Sequence, residues 1–134
     1  MIVYMPIKTI SESNQGGISR PAGIFKSKRI KRQRSETFYG LLDAWGQCRL
    51  SLPLIIIITR VSPRALDTDN LATSLKHIQD GVADWLCGKY GKGQDRQEGL
   101  CWEYTQQRGK PGERAVMVTI HHLTQPYGLR VLWA

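Results

Sequence analysis

Along the chain the apolar residues change their period several times, and each change predicts an element. "MIVYMPIKTI" (1–10) alternates, as a half-buried first strand does. "SESNQGGISRPAG" gathers Ser, Asn, Gly and Pro and reads as an exposed loop. In "RIKRQRSETFYGLLDAWGQCRL", Ile30, Phe38, Leu41, Leu42 and Trp45 fall near helical spacing, which predicts a helix with a basic head. "LPLIIIITRV" is β-branched and apolar without alternation, the pattern of a central strand covered on both faces.

From Leu71 the apolar positions Leu71, Leu75, Ile78, Val82 and Leu86 form a helical stripe. Asp69 or Asn70 is the expected N-cap of this second helix, and Gly81 inside it costs about 1 kcal/mol relative to Ala. "CGKYGKGQDRQEG" is a Gly- and Lys-rich loop. "LCWEYTQQ" and "RAVMVTIHH" read as strands joined by the Pro-Gly turn "RGKPGE", hence a hairpin. The tail "LTQPYGLRVLWA" ends in Val131, Leu132 and Trp133, suited to a further strand or a partner contact. Strands mixed with two main helices predict one α+β domain over residues 1–134, built on a mixed sheet.

Composition agrees with one globular domain: 134 residues, 41% hydrophobic and 22% charged, are values for a chain that buries its own core. Cys48, Cys87 and Cys101 are odd in number and form no CxxC pair, which predicts a reducing, cytoplasmic setting and argues against a disulfide framework or zinc knuckle. No signal-peptide pattern opens the chain, and its greasiest run is far too short to cross a bilayer, so no membrane partner is expected. The net charge of +8 is uneven: up to Arg34 there are eight Lys/Arg against Glu12 alone. Lys26, Lys28, Arg29, Lys31, Arg32 and Arg34 are therefore the expected contacts to a polyanion such as DNA, with a solvated basic helix start as the bland alternative.

Against this basic background Asp67, Asp69, Asp80 and Asp84 fall within eighteen residues. Like carboxylates repel, so the cluster needs open water or a cation. Asp67 and Asp69, two apart, share one side of an extended segment, at the point where strand gives way to a helix N-terminus that favours negative charge. An all-oxygen set suits magnesium, with manganese as a substitute. Asp95 in the later loop is the expected third ligand, and Glu98 is the reserve. His77 stands alone on the helix, and His121 and His122 point to opposite strand faces, so zinc is not indicated.

Thr73, Lys76, Asp80 and Asp84 form a polar stripe on the second helix. Asp84 reads as a solvent-facing acid. Lys76 reads as reaching back toward Asp67 and Asp69, to hold a phosphate or stabilise charge in the transition state. A metal there lowers the pKa of a bound water for attack on a phosphodiester, while the basic arm holds the polymer. Capping the helix needs one acid, perhaps two, and leaves Asp67 without a role. "GKYGKGQ" lacks the GK[ST] of a phosphate-cradling loop, so no nucleotide cofactor is expected. Pro63 and Asp67 hint at a PD…(D/E)xK nuclease, but "WEYTQ" has Thr where the Lys belongs.

At these residues the chain resembles the RusA family of Holliday-junction resolvases, whose core reads D-x-D-N-L, then K-x-x-x-D-x-L on the following helix, then a further acid in the next loop. Asp67-Thr68-Asp69-Asn70-Leu71 matches the first part, and Lys76 to Val82 matches the second with Val for Leu. Two departures stand out: the step from Asp69 to Lys76 is about three residues longer, close to one helical turn, and Gln94 precedes Asp95 where the family usually has another acid. The resemblance implies a magnesium-dependent endodeoxyribonuclease cutting branched DNA in recombination and repair, of prophage type. Asp67, Asp69, Asp95 and Lys76 would be its catalytic residues. It also implies a homodimer matching the two-fold symmetry of a four-way junction, with 125–134 as a dimer contact. The competing expectation is a non-catalytic DNA-binding relative with a structural or regulatory phage role.

Overall fold

β2 (Leu54–Ser62) is the strand around which the other elements assemble. The computed structural model describes residues 1–10, 20–87 and 98–123, with backbone alone for 20–25. Ahead of β2 come β1 (Ile2–Met5) and α1 (Arg20–Trp45); after it come α2 (Thr68–Cys87), β3 (Leu100–Arg108) and β4 (Ala115–His122). The sheet order is β1-β4-β2-β3, with β2 parallel to β3 and antiparallel to β4, and β1 antiparallel to β4. Four mixed strands and two helices make one small α+β domain, the expected class.

The β3–β4 hairpin expectation is wrong. β2 lies between the two strands, pairing Ile58 with Tyr104 on one side and with Val118 on the other. Residues 109–114 carry the chain past the end of β2, where the Gly109 N–H donates to the Ser62 carbonyl at 3.0 Å. Adjacent strands lie about 4.8 Å apart. A connection of this length therefore spans two strand spacings as readily as one, and the unbroken β-branched run of β2 takes both partners.

β2 is largely buried on both faces, as expected, but among the described residues only one face meets the helices. Leu54, Ile56 and Ile58 join Val116, Val118, Ile120 and Met5 on one face and pack against Leu41 of α1 and Leu71, Leu75, Ile78, Val82 and Trp85 of α2. Ile55, Ile57 and Thr59 turn to the other face, where no helix lies among the described residues. Ile55 is buried there and Ile57 and Thr59 are half-buried.

α1 begins earlier than the hydrophobic period indicates. Arg20–Gly23, expected in a loop, form its first turn, where Pro21 lacks only a donor that has no helical partner. Gly46 ends it in the left-handed region (φ 71°), its N–H closing on the Leu42 carbonyl at 2.8 Å. The Gly46 carbonyl in turn accepts from Trp85 Nε1 of α2 at 2.8 Å.

Gly81 has a reason to sit inside α2. A Cβ there would stand 2.6 Å from the Arg34 carbonyl oxygen and 2.7 Å from Thr37 Cβ, so the helices meet at backbone contact. Both strands that flank each helix run the same way: β1 and β2 both oppose β4, and β2 parallels β3. Each helix returns against its strands, so both helix N-termini lie at the carboxyl end of the sheet. For α1 the contacts agree: Gln33 Nε2 donates to the carbonyl of Lys8, beyond β1, and Gly40 further along the helix lies against Met5 at the end of that strand.

Candidate functional site

α2 starts one residue after Asp67, and Asp67 is its cap. Its Oδ1 accepts from the Asn70 N–H at 2.8 Å, its Oδ2 from Asn70 Nδ2 at 3.0 Å, and its carbonyl from the Leu71 N–H at 2.8 Å. The expected caps, Asp69 and Asn70, are already helical because the helix begins ahead of its first apolar residue. Asp69 stands in the first turn, exposed, where the helix dipole favours its charge. The two acids do not share one side of an extended segment, since Asp69 has turned onto the helix.

Asp67, in the connection after β2, and Asp69, in the first turn of α2, sit at the carboxyl end of β2, where ligands bind in open sheets with parallel strands. Their donors are oxygen only, which suits a hard cation; Asp67 brings carboxylate oxygens that also hold the cap, and Asp69 brings an exposed carboxylate. Among the described residues no group of three His, Cys, Asp or Glu converges to hold a metal. Asp95 lies outside the described residues. Its described neighbours along the chain, Cys87 and Glu98, both stand at the opposite end of the sheet from Asp67. Glu98 precedes Gly99, whose carbonyl accepts from the N–H of Leu54, the first residue of β2. A nine-residue strand is about 26 Å long, so Glu98 is ruled out as the reserve ligand.

Lys76 does not reach back to the acids. Its Nζ pairs with Asp80 Oδ1 at 3.0 Å, one turn further on, whereas Asp69 is two turns behind it. Asp80 also faces His77 Nδ1 at 3.8 Å. Burial pushes the Asp80 carboxyl up, but hydrogen bonds from His77 and Lys76 and the charges of Lys76 and Arg34 outweigh it and hold it below the usual carboxylate range.

Arg34 and Asp84 change roles. Asp84 is fully buried, not solvent-facing, and receives a fork from Arg34: Nε to Oδ2 at 2.5 Å and Nη2 to Oδ1 at 2.8 Å. Position 34 lies on the same side of α1 as buried Thr37, facing α2, so Arg34 is a clamp between the helices. The rest of the arm is helical. Lys26, Lys28 and Lys31 are exposed, Arg29 is half-buried, and exposed Arg32 pairs with Glu36 at 2.7 Å. The tail 124–134, with its expected dimer contact, lies outside the described residues.

Three arginines went unnoticed in the sequence. Arg60 interrupts the apolar run of β2 and is buried, at 7% exposure, with Nη1 on the Arg64 carbonyl at 2.7 Å and Nε on Thr9 Oγ1 at 3.1 Å. Arg64 and Arg108 line a cleft of about 530 Å³ with Ser62, Pro63, Ala65, Gln106 and Gln107. A charged residue inside "IIIITRV" was the available signal.

No disulfide joins Cys48, Cys87 or Cys101, and no helix among the described residues is long and apolar enough to cross a membrane. Neither a protein-family model nor a curated protein matches this chain.

Proposed function

We propose that this protein is a magnesium-dependent endodeoxyribonuclease acting on branched DNA, with four-way junctions as the substrate class. The observation that carries the reading is that one end of the molecule gathers three things: the Asp67–Asp69 acids, an arginine-lined cleft, and the N-terminal, basic end of α1. Acids beside bases at the carboxyl end of a sheet suit a polyanion that also needs a cation. When bound, magnesium would supply an activated water and charge stabilisation at one phosphodiester. Asp69 is the freer acid; Asp67 holds its backbone in place through the Asn70 cap. Asp95 is retained in the proposal as the third acid. The exposed lysines of α1 hold backbone phosphates, and a two-fold dimer would deliver paired cuts to a symmetric junction.

A second reading, a DNA-binding domain without catalysis, is favoured by two features of the structure. Both Asp67 carboxylate oxygens are engaged by Asn70, and the chain on either side of the Asp95 loop is anchored at the far end of the sheet. A labelled four-way junction incubated with the protein in magnesium and in chelator separates the readings. Cleavage that needs magnesium and is abolished by Asp69→Asn, with junction binding kept, supports the nuclease. Binding without cleavage supports the second reading.

A further inference from the structure

We infer that the cleft between residues 62–65 and 106–108 is a phosphate-binding site, with Arg64 and Arg108 as its anion ligands; in the proposed nuclease, on which the choice of substrate rests, it seats a backbone phosphate of the DNA. The cleft lies where the parallel strands β2 and β3 end, and its volume of about 530 Å³ is that of a small-ligand pocket. Its walls are fixed from both sides. Gln106 of β3 accepts from the Leu66 N–H through Oε1 at 2.9 Å and donates through Nε2 to the Leu66 carbonyl at 2.7 Å, tying the β2–α2 connection to the neighbouring strand. Ser62 holds the Gly109 N–H, and Arg60 holds the Arg64 carbonyl from below. Arg64 and Arg108 thus project as exposed side chains from a braced backbone, the preorganisation a fork donor needs to grip phosphate.

The charge around this corner is not neutralised by its acids. No carboxylate among the described residues pairs with Arg60, Arg64, Arg108 or Arg114. Glu113 is taken up by the Lys110 N–H at 2.9 Å and by the Tyr4 hydroxyl at 2.8 Å, and Asp67 is taken up by its cap. Burial lowers the Arg60 pKa and the charge of Arg114 lowers it further, the response of a cation among cations. Bound phosphate would relieve that repulsion. The lining includes two arginines and no carboxylate, which selects an anion over a cation.

The test uses the full chain in chelator, without any cleavage readout. Inorganic pyrophosphate is titrated while the arginine Nε–Hε resonances are followed by NMR, for wild type and for Arg64→Gln/Arg108→Gln. Both residues are exposed, so the variant should keep its fold, which circular dichroism checks. Saturable shifts of two arginine side chains, lost in the double variant, are expected; no saturable shift in wild type overturns the site. In parallel, junction binding is measured against salt. The double variant should flatten the slope of log K on log[salt] by about 0.9, the value for one phosphate contact. An unchanged slope overturns the DNA assignment. Wild type that binds pyrophosphate but no DNA keeps the anion site and removes the nuclease reading.

Discussion

Arg34 and Asp84 offer the sharpest test of how the helix layer is held together. The Asp84 side chain has no solvent exposure and the Arg34 side chain is 24% exposed, so the fork joins α1 to α2 largely out of water. Arg34→Ala would strand a carboxylate in the interface, and breaking a buried pair from one side costs about 3–5 kcal/mol. Unfolding entropy of about 2.1 cal/mol/K per residue amounts to roughly 0.28 kcal/mol/K for 134 residues, so the melting temperature should fall by about 11–18 °C. Removing both charges together is a different perturbation. Arg34→Met/Asp84→Leu leaves no group unpaired, and such replacements are often neutral or better, so the double variant should recover most of the loss. Trp45 and Trp85, with ring centroids 5.5 Å apart across the same interface, make fluorescence a local reporter of unfolding, with circular dichroism as the global one. Urea titrations of wild type, both single variants and the double variant close a coupling cycle. A loss under about 1 kcal/mol for Arg34→Ala, or a double variant as unstable as the sum of the singles, would refute the claim that the pair acts as a buried unit.

Two other substitutions probe the same packing. Gly81→Ala gains about 1 kcal/mol of helix propensity but drives a methyl into the Arg34 carbonyl and Thr37, so net destabilisation by about 1 kcal/mol or more is expected; a raised melting temperature would show that the helices separate without penalty. Asp80, held below the ordinary carboxylate range, stabilises the fold above the unfolded aspartate pKa, about 3.9, and that contribution is lost as pH falls through the lower folded value. The urea midpoints of wild type and Asp80→Asn should therefore differ at pH 7 and converge in acid, and an equal gap at pH 7 and pH 2.5 would contradict the assignment.

The contrast between what could and could not be read in advance has one physical source. Apolar periodicity reports which side of an element is buried, and it located β1, β2, both helices, β3 and β4 because each buries a face of the same core. It says nothing of lateral pairing, since a strand's hydrogen-bonding edges are backbone and carry no sequence. Hence "RGKPGE" read as a hairpin, although β2 separates the strands it connects. Charge suffered the opposite error. Counting Lys and Arg treats them as one solvated arm, whereas helical phase divides them: position 34 falls on the α2 side with Thr37, and Lys28 and Lys31 fall outside. Asp84, fifty residues from its partner, could be read only as a surface acid. What survives this sorting depends least on side chains. In β1-α1-β2 and β2-α2-β3 the strands are parallel, so the N-terminus of α1 and the Asp67 end of α2 face the same way. That places the arm's outward lysines, the Asp67–Asp69 acids and the Arg64–Arg108 cleft at one end, whichever individual residue carries the chemistry. Basic side chains from three separate elements therefore share that end with the acids. Capping accounts for Asp67 in an enzyme and a pure binder alike, so exposed Asp69 is the acid on which the two readings part, and the Asp69→Asn cleavage assay decides between them.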